Sequence, residues 1–574
     1  MTDFLGQPDT ADDSSAGTSG TARSGAYART VPPQGQPRRD FLFASGTAGA
    51  ALIASRLLGP ANRGDAVARA ATSARPVWLQ RPGTTPSEAD WRALRSAIST
   101  HKLIRPGQSG YDFAKELFSP QFDSLSPAGV AYCKQNADVA ACVNFASKFS
   151  LPVRARSGGH SYGGWSSVTG GLIIDVSEMN SMKFGTNTVT VGTGVDLINF
   201  YAGLAAHGKA VPGGSCPTVG IAGLTLGGGV GVLSRIYGLT SDNLQSLDIV
   251  TADGSTLTCN HGSNRGLYWA SRGGGGGNYG VATSFTFGTH NLTSLVLFGL
   301  SWPWSQARKV VSAWQSWAPH EPDALWSNLH LSANFGGAPS IGVGGSFVGS
   351  VAGAHTELDK LYHLVGTGPS RSVVGENSYL NAMLIEAGCT SVSGCDTPPG
   401  GSLPRVPFFA KSDFFSKPLD SAGVSALLSG IERLQHISGA AGGGGSIAFD
   451  ALGGAVNRVK PTDTAFVHRT SLFLAQYYTS WNWPGSSTGV ASQRAWIDSY
   501  YSAVHPHANG EAYQNYPDPT LTNFAEAYYG ANYPRLSQLK KQYDPKQLFN
   551  FPQAIQPPMS VACGIDGATT GPDC

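Results

Sequence analysis

Gly213-Gly-Ser-Cys-Pro-Thr-Val-Gly-Ile-Ala-Gly-Leu-Thr-Leu-Gly-Gly-Gly-Val-Gly231 sets a single cysteine, Cys216, in a run of glycines. Glycine permits torsions and close approaches that other residues do not. A glycine-dense loop holding one soft nucleophile therefore points to main chain wrapped around a flat or anionic ligand. Upstream, Arg154-Ala-Arg-Ser-Gly-Gly-His-Ser-Tyr-Gly-Gly164 has the same texture with His160 in place of the cysteine, and downstream Arg272-Gly-Gly-Gly-Gly-Gly-Asn-Tyr-Gly280 is a third such loop. On spacing alone each nucleophile keeps two readings. Cys216 is either a reactive thiol or a buried inert one, and His160 either a covalent ligand or a donor to a phosphate.

The segments around these loops set the fold class. Residues 91–98 and 112–118 read as peripheral helices, and 138–149 as an amphipathic helix behind an Asp138 cap. Residues 151–156, 171–175 and 188–192 read as strands and 197–207 as a helix that delivers the chain to the cysteine loop. Residues 247–257 read as two strands around the Asp253-Gly254 turn, and 281–287 as a further strand. Beyond residue 291 apolar segments at 295–302, 326–335, 340–348 and 472–481 read as strands, with helix-like pieces at 308–317 and 357–365. A helix over 533–543 ends at Asp544-Pro545, because proline cannot continue it. This order implies an α+β protein.

The totals narrow the function classes. At 574 residues two domains are the natural expectation. Lys+Arg 39 against Asp+Glu 37, with no long basic run in the body of the chain, argues against nucleic acid or an acidic membrane surface as partner. No apolar run of the mature part approaches the roughly 20 residues that a membrane span needs. Charged residues are 13% and aromatics 10% of the chain, with Gly 74, the composition of a loop-rich and aromatic-rich globular protein.

Residues 1–36 lack periodicity and are rich in Ser, Thr, Gly, Asp and Pro, which predicts disorder. Arg38-Arg39, the small apolar run 43–58 and Ala-x-Ala sites near Ala66 to Ala70 then follow in the order of a twin-arginine export signal, so secretion or a cell-envelope location is expected. With Cys216 set aside, Cys389 with Cys395 and Cys563 with Cys574 are candidate short-range bridges. Cys142 with Cys133 is a further candidate, and at least one thiol stays free. No Cys/His spacing resembles a zinc site.

Taken together, the stretches Arg156 to Tyr162, Gly214 to Gly220 with Gly227 to Gly231, Tyr237 to Asn243, Arg272 to Phe287, Asn515-Tyr-Pro-Asp518 and the Tyr529-to-Phe549 tail resemble the berberine-bridge-enzyme-like branch of the vanillyl-alcohol-oxidase flavoproteins. They follow the family's order over nearly all of the mature chain. The resemblance implies a PCMH-type (vanillyl-alcohol-oxidase-type) FAD-binding domain at residues 71–290, after a tail and signal at 1–70. A substrate-binding domain, an antiparallel β-sheet covered by helices, would follow at 291–510, and 511–574 would return to the FAD domain.

It further implies FAD bound bicovalently, His160 to the 8α-methyl group and Cys216 to C6, since a neutral imidazole and a thiolate are nucleophiles suited to an electron-poor ring. Two electron-withdrawing links should raise the flavin potential. Arg156, Ser157, Gly158, Gly159 and Ser161 are the expected pyrophosphate loop, where hydroxyls and amides can donate. The run Gly227 to Gly231, with Gly227 and Gly228 foremost, would pack close to the ring or ribityl chain, Gly220 and Gly223 would also bind the cofactor, and Gly280 and Val281, with Asn278 and Tyr279, would flank the adenine or pyrophosphate.

Tyr516 matches the family's base, with Gln476 and Tyr478 as supporting residues on one strand face. A free phenol, with a pKa of about 10, needs a nearby cation or donors to serve as a base at neutral pH. The lysine that related plant enzymes carry two positions before the matching glutamine is here Leu474. Val219 matches the position that controls oxygen access, where a small side chain goes with oxidases, so dioxygen is the expected acceptor. The expected substrate is an alcohol, sugar, oligosaccharide or secondary metabolite, and aromatic residues beyond 291 suit stacking on a sugar ring. Competing readings are a dehydrogenase with a non-oxygen acceptor and a carbohydrate-binding relative without turnover.

Overall fold

Parallel pairing and antiparallel meanders divide the strands of this chain into two kinds of sheet. The computed structural model describes residues 85–437 and 442–558. The Arg38-Arg39 stretch expected to be an export signal and the candidate bridge of Cys563 with Cys574 lie outside the described residues.

A four-stranded sheet runs in the order Leu103–Ile104, Gly129–Tyr132, Leu172–Asp175, Val153–Arg156, with its last three strands parallel. Parallel neighbours need a crossover, and the helix Asn136–Phe149 supplies one before Val153–Arg156. Its buried Val139, Cys142, Val143 and Ala146 pack on Leu172 and Ile174. Asp138 is not its cap. The N-cap is Gln135, without a side-chain capping bond, and the Asp138 carboxylate inside the first turn instead accepts from Ser99 N and Oγ, Lys134 N and Gln135 Nε2. A buried carboxylate goes where donors converge, and four converge here. The predicted helix at 112–118 shortens to Tyr111–Ala114, entered through a left-handed Gly110.

The second sheet is antiparallel, in the order Met182–Phe184, Thr188–Gly192, Gly280–Gly288, Leu244–Thr251, Thr256–Asn260. Its predicted hairpin closes through Asp253-Gly254, where Gly254 takes φ +81°. A seven-stranded antiparallel sheet then runs Arg371–Ser378, Ser294–Trp302, Ser340–Phe347, Leu325–Asn334, Gly444–Ala451, Phe473–Ser480, Phe408–Phe415. Side chains alternate across it. Phe473, Ala475 and Tyr477 join Leu329, Phe449 and the helix residues Trp314, Leu427 and Trp496 in one core. Asn328, Asp450, Gln476 and Tyr478 point the other way, to the wall of a cavity.

The chain end returns to the earlier part: Leu536 of the helix Tyr533–Tyr543 packs with Trp269, and Phe549 with Val153. Cys389 and Cys395 are disulfide-bonded. Cys133 and Cys142 are not; their thiols lie side by side, sulfur to sulfur 3.8 Å, fully buried. Among the described residues no helix is long and apolar enough to cross a membrane, and no group of three or more His, Cys, Asp or Glu gathers as a metal site.

Candidate active site

The two nucleophile loops touch backbone to backbone. A Cβ on Gly158 would meet Gly220 N at 2.3 Å and Thr218 O at 2.5 Å, so a side chain there has no room. Their approach opens a cavity of about 350 Å³ against the polar face of the seven-stranded sheet. His160 and Cys216 both line it. So do Arg156, Ser157, Gly158, Gly159 and Ser161 of the first loop, and Val219, Gly220 and Gly223 of the second. Gly280 and Val281 close one part, and Gln476, Tyr478 and Tyr516 another.

Gly227 and Gly228 are not on that wall. The space a Cβ would take at Gly227 belongs to the Asn515 side chain, and at Gly228 to Phe466, with φ +124°. Their closeness serves the protein's own packing. The glycine stretch is also not all loop, since Ile221–Leu226 is a short helix. Tyr279 likewise faces inward, its hydroxyl donating to Leu536 O at 3.1 Å.

Burial sets the charge state of both nucleophiles. It pulls His160 down to about 3, against a lift from the Thr218 backbone carbonyl, so the imidazole is neutral. The ring stacks on Phe118 at 4.0 Å between centroids, and its Nε2 lies 2.8 Å from Thr218 Oγ1. Burial pushes the Cys216 thiol up to about 11, so it is a thiol at neutral pH, not the thiolate expected from sequence. Its proton must be taken as any bond from sulfur forms.

At the sheet end, Tyr516 stacks on Tyr162 at 5.4 Å with rings 2° from parallel, and meets Tyr513 edge-on at 4.9 Å. Gln476 Nε2 donates to Tyr162 Oη at 2.6 Å. Tyr513 Oη accepts from Gly229 N, Val230 N and Asn515 Nδ2, tying the cysteine loop to the segment that carries Tyr516. Neither a cation nor a donor is among the main influences on Tyr516 from the described residues. Burial, with Tyr162 and the Asp450 charge adding to it, holds Tyr516 well above the ordinary phenol range.

Asp450, on the cavity wall, is the group nearest neutrality. Burial pushes it up to about 7. Close by, Glu386 is fully buried with neither carboxyl oxygen partnered, and burial, with the Asp450 charge second, pushes it up to about 8. A carboxyl whose folded pKa is raised costs folding free energy progressively as pH rises from its ordinary value to the folded one. Glu386→Gln is therefore expected to leave the melting temperature unchanged below about pH 4.5 and to raise it above about pH 8, measured as thermal midpoints across that range.

At the loop end, Ser157 and Arg156 are already engaged. Ser157 Oγ donates to Thr193 O at 2.6 Å, and Arg156 Nε donates to Asp175 Oδ2 at 2.5 Å, leaving the Ser157 hydroxyl proton and the Arg156 Nε–H no part in holding an anion. Arg154 lines the same cavity; its Nη1 donates to Val153 O at 2.7 Å, and its buried Nε has no partner. Asn278 also lines the cavity; its carbonyl accepts from Lys540 Nζ at 2.6 Å.

Residues 127–260 match the family model described as FAD binding domain, and 512–556 the one described as berberine and berberine like. The uncharacterized FAD-linked oxidoreductase YvdP of Bacillus subtilis is 35% identical over 472 residues, 81% of this chain and 100% of that protein. The chain belongs to the berberine-bridge-enzyme-like, FAD-linked oxidoreductases. The chitooligosaccharide oxidase of Gibberella zeae is 29% identical over 75% of this chain and 88% of its own. The solved structure of Physcomitrella patens BBE-like 1 matches with TM-score 0.74 at 28% identity, over 82% of this chain and all of that one.

The residues present fit FAD. An orphaned buried guanidinium nitrogen suits a pyrophosphate, a glycine cradle without room for Cβ suits close main-chain approach, and two nucleophiles of suitable chemistry stand on one wall. Sequence reasoning missed Arg154, Tyr162, Thr218 and Asp450. The first three stand inside the motifs already quoted. Asp450 has no motif, only its place on a strand.

Proposed function

We propose that this chain is an exported flavoprotein oxidase that holds FAD through two covalent bonds, from His160 and from Cys216. It removes a hydride from an alcohol carbon of a sugar, oligosaccharide or secondary metabolite. What carries the proposal is that His160 and Cys216 line one cavity from two loops in backbone contact, with Tyr516 and Asp450 on the same wall. Residues 71–290 serve as its FAD-binding domain and 291–510 as its substrate-binding domain.

The chain's residues divide the work. Arg154 and the amides of residues 157–161 hold the anionic part of the cofactor. Tyr516, fixed in plane by its stack on Tyr162, meets the substrate hydroxyl. It takes that proton while its own passes toward Asp450, whose pKa near 7 suits a final acceptor at neutral pH. Gln476 pins Tyr162, and Asn328 on the same sheet face offers a polar partner for further hydroxyls. Flavin bound here would supply the hydride acceptor and pass the electrons to dioxygen, giving hydrogen peroxide.

Three further lines support the details. Val219 on the cavity wall leaves a modest side chain at the position tied to oxygen access. The chitooligosaccharide oxidase relative supports a sugar hydroxyl as donor. Arg38-Arg39 ahead of an apolar run supports export.

Stopped-flow mixing of the anaerobically reduced protein with air tests the oxidase reading. Reoxidation within seconds, with stoichiometric hydrogen peroxide, is expected. Reoxidation over minutes would place the acceptor elsewhere and remove dioxygen from the reaction.

A further inference from the structure

We propose that Thr218 is the positioning residue that selects which nitrogen of His160 bonds the flavin, by keeping the ring proton on Nε2 and leaving the Nδ1 lone pair open. The proposal rests on the covalent reading above and adds a residue to it. Nε2 is the nitrogen that faces Thr218, 2.8 Å from Oγ1. A hydroxyl could donate to a ring nitrogen or accept from it. The Thr218 backbone carbonyl also acts on the ring and favours its protonated form. In the proposed tautomer Oγ1 accepts as well, with the ring proton on Nε2.

Orientation follows from the same contacts. The stack on Phe118, with rings 18° from parallel, fixes the plane of the imidazole but leaves a half-turn within that plane open. Such a turn would set a carbon against Oγ1 and lose the hydrogen bond, so Thr218 also decides between the two ring orientations. Thr218 is itself held. Ile198 N donates to Pro217 O at 3.0 Å and Leu197 N to Val219 O at 3.0 Å, so the carbonyls on both sides are pinned to the start of one helix. Before the bond forms burial keeps His160 neutral, and a neutral imidazole has one nucleophilic nitrogen, the one without the proton.

The bond-forming step balances as follows. Nδ1 bonds the 8α carbon and one C–H bond of that methyl group breaks. The alkylated ring is transiently cationic, and the Nε2–H donated to Thr218 is the proton it then releases. The electron pair of the broken bond passes to dioxygen, the oxidant, which with the two protons leaves as hydrogen peroxide. Oxygen acceptors beside Nε2 stabilise that transient cation as well as the starting tautomer.

Purified holoprotein of the wild type, T218V, T218S and T218A is denatured and digested, and flavin-bearing peptides are identified by mass. In the wild type one flavin joins the His160 and Cys216 peptides. In T218V the share of chains with flavin on the His160 peptide is expected to fall about tenfold, roughly one hydrogen bond, while flavin stays on the Cys216 peptide. T218S should restore the joined product, which a loss of packing alone would not predict. If T218V does not fold, T218A is judged by the same criterion. Joined peptides in T218V or T218A at the wild-type level would overturn the role of Thr218, as would a T218S protein no better than T218V. A wild type without flavin on His160 would instead overturn the double attachment, and this proposal with it.

Discussion

Asp450→Asn is expected to lower kcat for alcohol oxidation by about 10²–10⁴-fold, the contribution of a positioned proton acceptor, with little change in KM. Asp450 is buried on the cavity wall and burial pushes it up to about 7, while its charge helps hold Tyr516 as a phenol. A phenol in that state acts as a base only if its own proton has a destination, and Asp450, on the same cavity wall, is the titratable group proposed to supply one near neutral pH. In the wild type, kcat should therefore rise with pH through about 7, as Asp450 ionises, and the Asn variant should lose that limb.

Stability should move the opposite way. The Asp450 pKa is raised by folding, so the native state is penalised from about pH 3.8 upward, in full above about pH 7. That penalty is on the order of 4 kcal/mol at about 1.4 kcal/mol per pKa unit. Asp450→Asn is thus expected to be slower and, above pH 7, harder to melt. Tyr516→Phe should lose as much activity, and the double variant little more, since the two act as one unit. An Asp450→Asn enzyme with wild-type kcat and an unshifted pH profile would remove Asp450 from the proton path.

Lys540→Met is expected to destabilise the fold by about 3–5 kcal/mol, the cost of breaking a buried ion pair from one side. Lys540, in the last turn of its helix, and Asp544, the residue that caps it, are both fully buried and 2.8 Å apart, and Lys540 Nζ also donates to Asn278 O and Phe549 O. Asp544 meanwhile accepts from Leu548 N and Phe549 N. Removing the ammonium leaves a buried carboxylate and two carbonyls short of a donor. It also takes the donor from the carbonyl of Asn278, which lines the cavity, so loss of bound flavin should accompany the lower urea midpoint. A Lys540→Met, Asp544→Asn pair should recover part of the loss, because the stranded charge is gone. Equal midpoints for the wild type and Lys540→Met would show that the pair contributes nothing.

How far the fold could be read in advance depended on burial. Thr188–Gly192 and the helix Tyr533–Tyr543 are amphipathic or sharply bounded, and their limits match the sequence reading. Gly444–Ala451 did not announce itself. It is buried on nearly every residue, so it lacks polar alternation, and it opens on glycines, which strand patterns seldom contain. Asp450 was hidden with it. The cofactor loops were legible because glycine, histidine and cysteine are informative by type. What could not be read was how their polar atoms are used: the Ser157 hydroxyl is turned to Thr193 and Arg156 to Asp175, and only three-dimensional packing shows that the Arg154 Nε is left without a partner. The charge states of Cys216 and Tyr516 were likewise set by desolvation, which has no local sequence signature.

Everything proposed for this site depends on a flavin tied to both loops. The direct measurement is the mass of the denatured, desalted protein, with visible absorbance, for the wild type, His160→Ala, Cys216→Ala and the double variant. One FAD retained in the wild type and in each single variant, and none in the double variant, is the expected result. A colourless wild-type polypeptide at its bare mass would contradict it.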